Sequence, residues 1–113
     1  MTITVDKKEY NFQYLTENDI ESFNEQLSEF EENHGRLSLD VFYNCGIYME
    51  SFKDDDGYTP QIWIRDLEED DLLLLEYYSE SILDKKKSVE IEYEMRAYLK
   101  IKLLDKELKE LLF

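Results

Sequence analysis

From Val89 to Lys102 apolar and polar residues alternate without a break. Val89, Ile91, Tyr93, Met95, Ala97, Leu99 and Ile101 fall in one phase, and Glu90, Glu92, Glu94, Arg96, Tyr98, Lys100 and Lys102 in the other. No other segment of the chain is as regular, and an element of this length dictates how the rest is arranged around it. A period of two predicts a long strand with one buried face. A helix over 88–103 is the competing reading, because Glu, Met, Ala, Leu and Lys all favour helix. The strand is preferred here. A short amphipathic helix over residues 103–113 follows, with Leu104, Leu108 and Leu111 on one side.

Shorter signals organise the remainder. Ile3 and Val5, then Tyr10, Phe12 and Tyr14, alternate on either side of Asp6-Lys7-Lys8, which reads as a hairpin turn between strands at 2–5 and 9–15. Residues 17–33 read as a helix, with Thr16 as N-cap and Asp19 three residues on. Its apolar stripe is Ile20, Phe23, Leu27 and Phe30, and Gly35 is its stop. Leu37, Leu39, Val41 and Tyr43 alternate as a strand. Ile47, Met49 and Ser51 continue it past a turn or bulge at Asn44-Cys45-Gly46. Asp54-Asp55-Asp56-Gly57 reads as a turn and Gln61–Arg65 as a strand. Asp66 then caps a second helix containing Leu72–Leu75, Tyr77 and Tyr78, and Lys85-Lys86-Lys87 makes a turn. These elements predict a single α+β domain over 1–113: a mostly antiparallel sheet with two to three helices packed on one face.

The charge is unusual. The chain carries 28 acids and 13 bases, a net of −15, where solubility of a small domain needs roughly 2 to 8. Its distribution is uneven. Residues 1–34 hold nine acids and two bases, residues 35–84 thirteen and three, and residues 85–113 six and eight. Residues 1–84 therefore carry a net of −17 and the tail +2, and no Lys or Arg lies between Glu9 and Arg36. Acidic disordered chains are poor in aromatics, whereas aromatics are 14% of this one, so a folded core is expected. The acidity argues against direct binding to nucleic acid or anionic lipid. A single cysteine, no apolar run long enough for a span and no apolar leader stretch predict a cytosolic location.

Chemistry-bearing constellations are sparse. One His and one Cys, His34 and Cys45, provide neither a zinc site nor a nucleophile–base pair of recognisable form. No phosphate-binding or dinucleotide fingerprint occurs, because no two glycines lie closer than 11 residues. Asp54-Asp55-Asp56-Gly57 lacks the alternating ligands of a calcium loop and reads as an acidic hairpin turn. No enzyme activity, cofactor or metal is expected.

The acids themselves are the candidate site. Glu17, Glu21, Glu25, Glu29 and Glu32 share or flank one outer helix face, where neighbours four apart sit ~6 Å from each other. Glu90, Glu92 and Glu94 are expected to line one strand face at ~6.7 Å intervals. Both intervals resemble the repeat of phosphates along a nucleic-acid strand. Asp54, Asp55 and Asp56, and Glu68, Glu69, Asp70 and Asp71, add further negative clusters, although acids at 66–71 also suit a helix N-terminus. Tyr58, Tyr77, Tyr78 and Trp63 are candidate aromatic anchors. Trp63 points away from the core if Ile62 and Ile64 face it.

A basic protein is the expected partner, in particular a nuclease or other DNA- or RNA-binding protein. The expected function is inhibition as a DNA mimic. In composition and size the chain resembles acidic inhibitors of phages and mobile elements, the anti-restriction and anti-CRISPR type, with no motif tying it to one family. An immunity protein neutralising a toxic nuclease or other basic effector shares the same physics. An acidic oligomerisation or scaffold domain, associating as a homodimer through the Leu72–Tyr78 region, is the further alternative.

Overall fold

The computed structural model describes residues 1–44, 46–65 and 69–111. The expectations for Cys45, Asp66 and Glu68 lie outside the described residues. The architecture is α+β, with two antiparallel sheets and three helices.

Strands β1 (Thr2–Val5) and β2 (Lys8–Asn11) form the first sheet, paired from Thr2↔Asn11 to Val5↔Lys8. Asp6 and Lys7 close the hairpin with φ of 51° and 63°. Two consecutive left-handed residues match the twist of the flanking strands. The second strand ends sooner than the alternation to Tyr14 suggests. The N–H groups of Gln13, Tyr14 and Leu15 leave the ladder and donate instead to the Glu94 carboxylate.

Helix α1 (Glu17–His34) forms where its signals lie. The Thr16 hydroxyl accepts from the Asp19 N–H, and the Asp19 carboxylate accepts from the Thr16 N–H at 2.8 Å. Together they satisfy two otherwise orphaned donors. Phe23, Leu27 and Phe30 are buried on its inner side, and the Gly35 N–H closes the last turn on the Glu31 carbonyl.

The strand expected through Leu37–Tyr43 is instead the short helix α2 (Leu39–Asn44). Leu39 and Phe42, three apart, turn toward the core, while Tyr43 is exposed. The Glu107 carboxylate accepts from the Leu39 N–H at the helix start, a contact no local sequence pattern encodes.

Strands β3 (Ile47–Asp54), β4 (Gly57–Ile64) and β5 (Leu72–Glu76) make the second sheet in that order. Asp55 and Asp56 turn the β3–β4 hairpin as expected. β5 corrects the second expected helix. Leu75 pairs with Ile62 but Leu73 pairs with Trp63, so Leu74 is an extra residue in β5. This bulge lets Leu74 and Leu75, neighbours in sequence, both be buried. It also removes the alternation that identifies a strand.

The largest correction concerns the C-terminal third. Residues 85–111 form one 27-residue helix, α3 (Lys85–Leu111), about 40 Å long. It replaces the expected Lys turn, strand and separate helix. Asp84 starts it, its carboxylate accepting from the Lys87 N–H at 2.8 Å. Ile91, Met95, Tyr98 and Leu99 are buried at helical spacing, while Tyr93 and Ala97, apolar in the period-two pattern, are exposed. Tyr98 and Glu92, from the expected outer phase, are only 3% and 4% exposed. α3 lies against β3 and β4, α1 against β5, and α2 against α3 and β3. The Tyr98 ring joins the layers, edge-on to Phe12 and tilted against Phe23. Burial pushes its hydroxyl up to about 12.

Candidate protein-binding surface

With Phe23, Leu27 and Phe30 turned inward, the 3.6-residue period sends Glu17, Glu21, Glu25, Glu29 and Glu32 outward, and all five are exposed. The span from Glu17 to Glu29 is about 18 Å along the axis. Among the described residues no Lys or Arg lies within ion-pair distance of any of the five. A shallow depression of about 480 Å³ runs between Asn24, Glu25, Ser28, Glu29 and Glu32. The row is therefore an open line of carboxylates whose neighbours repel one another and which no cation among the described residues neutralises.

Apolar surface adjoins the end of this row. A cavity of about 250 Å³ separates α1 from β5, and Glu29, Phe30, His34, Leu73 and Tyr78 are among its walls. Leu73 and Tyr78 are 40% and 66% exposed. Gln26 fixes the distance between helix and strand. Its side-chain amide donates to the Glu76 carbonyl at 3.0 Å and accepts from the Glu76 N–H at 2.8 Å, as a paired strand would. The His34 ring packs on Phe30 with centroids 4.7 Å apart, which agrees with a structural role for this histidine.

The remaining candidate acids occupy other places. Asp54, Asp56 and Tyr58 gather with Tyr77 and Glu80 around a hollow of about 390 Å³ at the end of the β3–β4 hairpin. Asp55 is exposed in the turn. The Asp54 carboxylate accepts from the Asp56 N–H at 2.8 Å, so part of its hydrogen-bonding capacity stabilises the turn itself. Burial raises the Tyr77 hydroxyl, and the charges of Asp19 and Glu94 raise it further. Glu69, Asp70 and Asp71 are exposed ahead of β5, where Asp71 accepts from the Tyr48 hydroxyl at 2.7 Å. Trp63 is half-buried. Its indole N–H donates to Gln61, whose amide donates to Glu76.

Glu90, Glu92 and Glu94 form no array. On a helix, residues two apart point about 200° apart, and all three carboxylates are bound within the fold. Glu94 accepts from three backbone N–H groups, those of Gln13, Tyr14 and Leu15. Glu90 accepts from the Tyr14 hydroxyl at 2.5 Å, which raises that hydroxyl above its ordinary pKa. Glu92 accepts from Ser51, which also meets Ser88. Burial pushes the Glu92 carboxyl up, the Ser51 hydrogen bond opposes this, and the nearby Glu50 charge adds to it.

Within α1 itself, Glu31 departs from its neighbours. It turns inward to Lys106 at 2.6 Å and to the Leu37 N–H at 3.0 Å. Burial acts against its charged form, but these two hydrogen bonds and the charges of Lys106 and Arg36 together outweigh burial and hold it below the usual carboxylate range. Among the described residues no three His, Cys, Asp or Glu side chains converge to hold a metal ion, and no helix is long and apolar enough to cross a membrane. Glu80 is a surface residue that pattern reading missed, an isolated acid with no local signal. Leu73 falls within the Leu72–Tyr78 region read as a possible contact surface, but it lies on a strand and not on a helix. No family model, curated protein or solved structure matches the chain.

Proposed function

We propose that this chain is a non-enzymatic acidic inhibitor that acts in the cytosol and occupies the phosphate-binding surface of a DNA- or RNA-binding protein. The observation that carries the reading is the row of five exposed carboxylates on α1, unneutralised by any described cation and spaced ~6 Å apart along the helix. A solvated helix with no such task ordinarily mixes charge signs along its face. Opposite charge would steer the encounter and raise the association rate. Tyr78 and Leu73, beside Glu29, would supply the apolar contact that slows dissociation. The α3 glutamates are excluded from this role because they hold the fold together.

The test is competition. A basic nucleic-acid-binding protein retained from a bacterial lysate at low salt should lose its labelled DNA when this chain is added. The triple variant Glu17→Lys, Glu21→Lys, Glu25→Lys should compete at least about tenfold less well while keeping its circular dichroism. Full competition by that variant would sink the reading. The cellular role of the retained protein then separates an inhibitor of a host defence from an immunity protein that neutralises a toxin.

A further inference from the structure

One groove of this acidic molecule is lined by no acid among the described residues. It lies where the β1–β2 hairpin meets α3, encloses about 320 Å³, and is lined by Lys8, Tyr10, Tyr93, Arg96, Ala97 and Lys100 together with apolar residues of α3. The α3 members recur at three- and four-residue spacing, so they form one stripe. Ala97 is exposed, and its small side chain leaves a gap between Tyr93 and Lys100.

Three cations line it. Among the described residues only Arg36, Lys106 and Lys109 have a carboxylate within ion-pair distance, so Lys8, Arg96 and Lys100, like the other cations of the chain, keep their charge unpaired. Their neighbours are aromatic faces instead. Lys8 lies 5.3 Å from the Tyr10 ring centre, Arg96 4.6 Å from Phe42, and Lys100 5.5 Å from Tyr43. Cation–π contact holds a charged head in place without cancelling its charge. The Tyr93 ring is 61% exposed beside them and offers a flat apolar surface.

We propose that this groove binds a small anion carried on a flat aromatic ring, the chemistry of a nucleoside monophosphate. The ring would lie against Tyr93 and the anionic group would meet Arg96 and Lys100. Aromatic side chains accept a base by stacking, and guanidinium and ammonium groups accept a phosphate by charge-assisted hydrogen bonds. The volume sits at the small end of the roughly 300–1,000 Å³ typical of small-molecule sites. A long polyanion is disfavoured, because beyond the groove it meets the surplus negative charge of the molecule. The site does not depend on the carboxylates of α1, so either reading can fail alone.

The probe is adenosine monophosphate, titrated at low salt into isotope-labelled protein and followed by amide chemical shifts. Shifts should concentrate on residues 8–10 and 93–104. Adenosine alone and inorganic phosphate alone should each bind about tenfold more weakly. Lys100→Gln, which leaves the core untouched, and Arg96→Gln should each weaken the nucleotide about fivefold. Unchanged shifts at millimolar nucleotide would overturn the proposal. Phosphate binding as tightly as the nucleotide would overturn it in favour of a bare-anion site. A dimer in sedimentation that Lys100→Glu dissociates would overturn it in favour of a second copy of this chain.

Discussion

Helices α1 and α3 both carry closely spaced glutamates, and the two sets do opposite things. On α1, Glu17, Glu21, Glu25, Glu29 and Glu32 face solvent with no cation of the described residues within ion-pair distance. On α3, Glu90, Glu92 and Glu94 accept hydrogen bonds from a tyrosine hydroxyl, a serine hydroxyl and three backbone N–H groups. Net charge counts the two sets alike. Availability to a partner does not, because each bond to the chain's own donors uses part of a carboxylate's acceptor capacity and fixes where its remaining lone pairs point. A surface reading of an acidic protein therefore needs the donors as well as the acids.

The comparison breaks most visibly at Glu94. Glu94→Ala leaves the N–H groups ahead of α1 without their acceptor and should cost about 2–3 kcal/mol of stability. Urea denaturation reads this directly, and a loss no larger than that of an α1 surface variant would remove the distinction between the helices. Glu92→Gln should act in the other direction. A raised folded pKa means that the contribution of Glu92 to stability is fully present below the ordinary carboxylate pKa. It is lost as pH rises through the raised value. Replacing it by a neutral amide should raise stability at pH 7 by about 1 kcal/mol and flatten the pH dependence in that window. Melting curves at several pH values would show it.

Glu31 tests the comparison inside one helix. Its folded pKa is lowered, so its contribution is present above the ordinary carboxylate pKa and is lost as pH falls through the lowered value. Glu31→Gln should cost up to about 1 kcal/mol near neutral pH, with the difference from the parent vanishing in acid. The smallest effect belongs to the open row. Glu21→Gln with Glu25→Gln should leave the unfolding midpoint unchanged, or raise it slightly at low salt by relieving like-charge repulsion. High salt should erase that gain.

Legibility followed the distance between partners. α1 was readable because its cap, its apolar stripe and its stop lie within twenty residues of one another. The hairpins at Asp6-Lys7 and Asp55-Asp56 were readable because a turn is a local conformation. β5 was misread as helix because the Leu74 bulge buries two consecutive leucines. α2 was misread as strand because its start is held by Glu107, 68 residues away. α3 was misread because exposed Tyr93 and Ala97 fall between buried Ile91, Met95, Leu99 and Ile101, which makes every second position from 89 to 101 apolar. Helix propensity over that segment gave the better guide. Of the candidate site, the α1 row was legible in full, whereas the α3 set was not.

The amino-acid sequence by itself determined the hairpins, the capped first helix and the density of negative charge on its outer face. Each follows from neighbours along the chain. Tertiary structure alone decided which acids remain open and which are bound, since Glu94 meets the Tyr14 N–H across 80 residues and Glu31 meets Lys106 across 75. It also decided that three cations on the hairpin and α3 would share a groove lined by no acid among the described residues. The physical reason is common to both. A charge is spent or spared according to the donors and acceptors packed within a few ångströms of it, and chain separation does not reveal that distance.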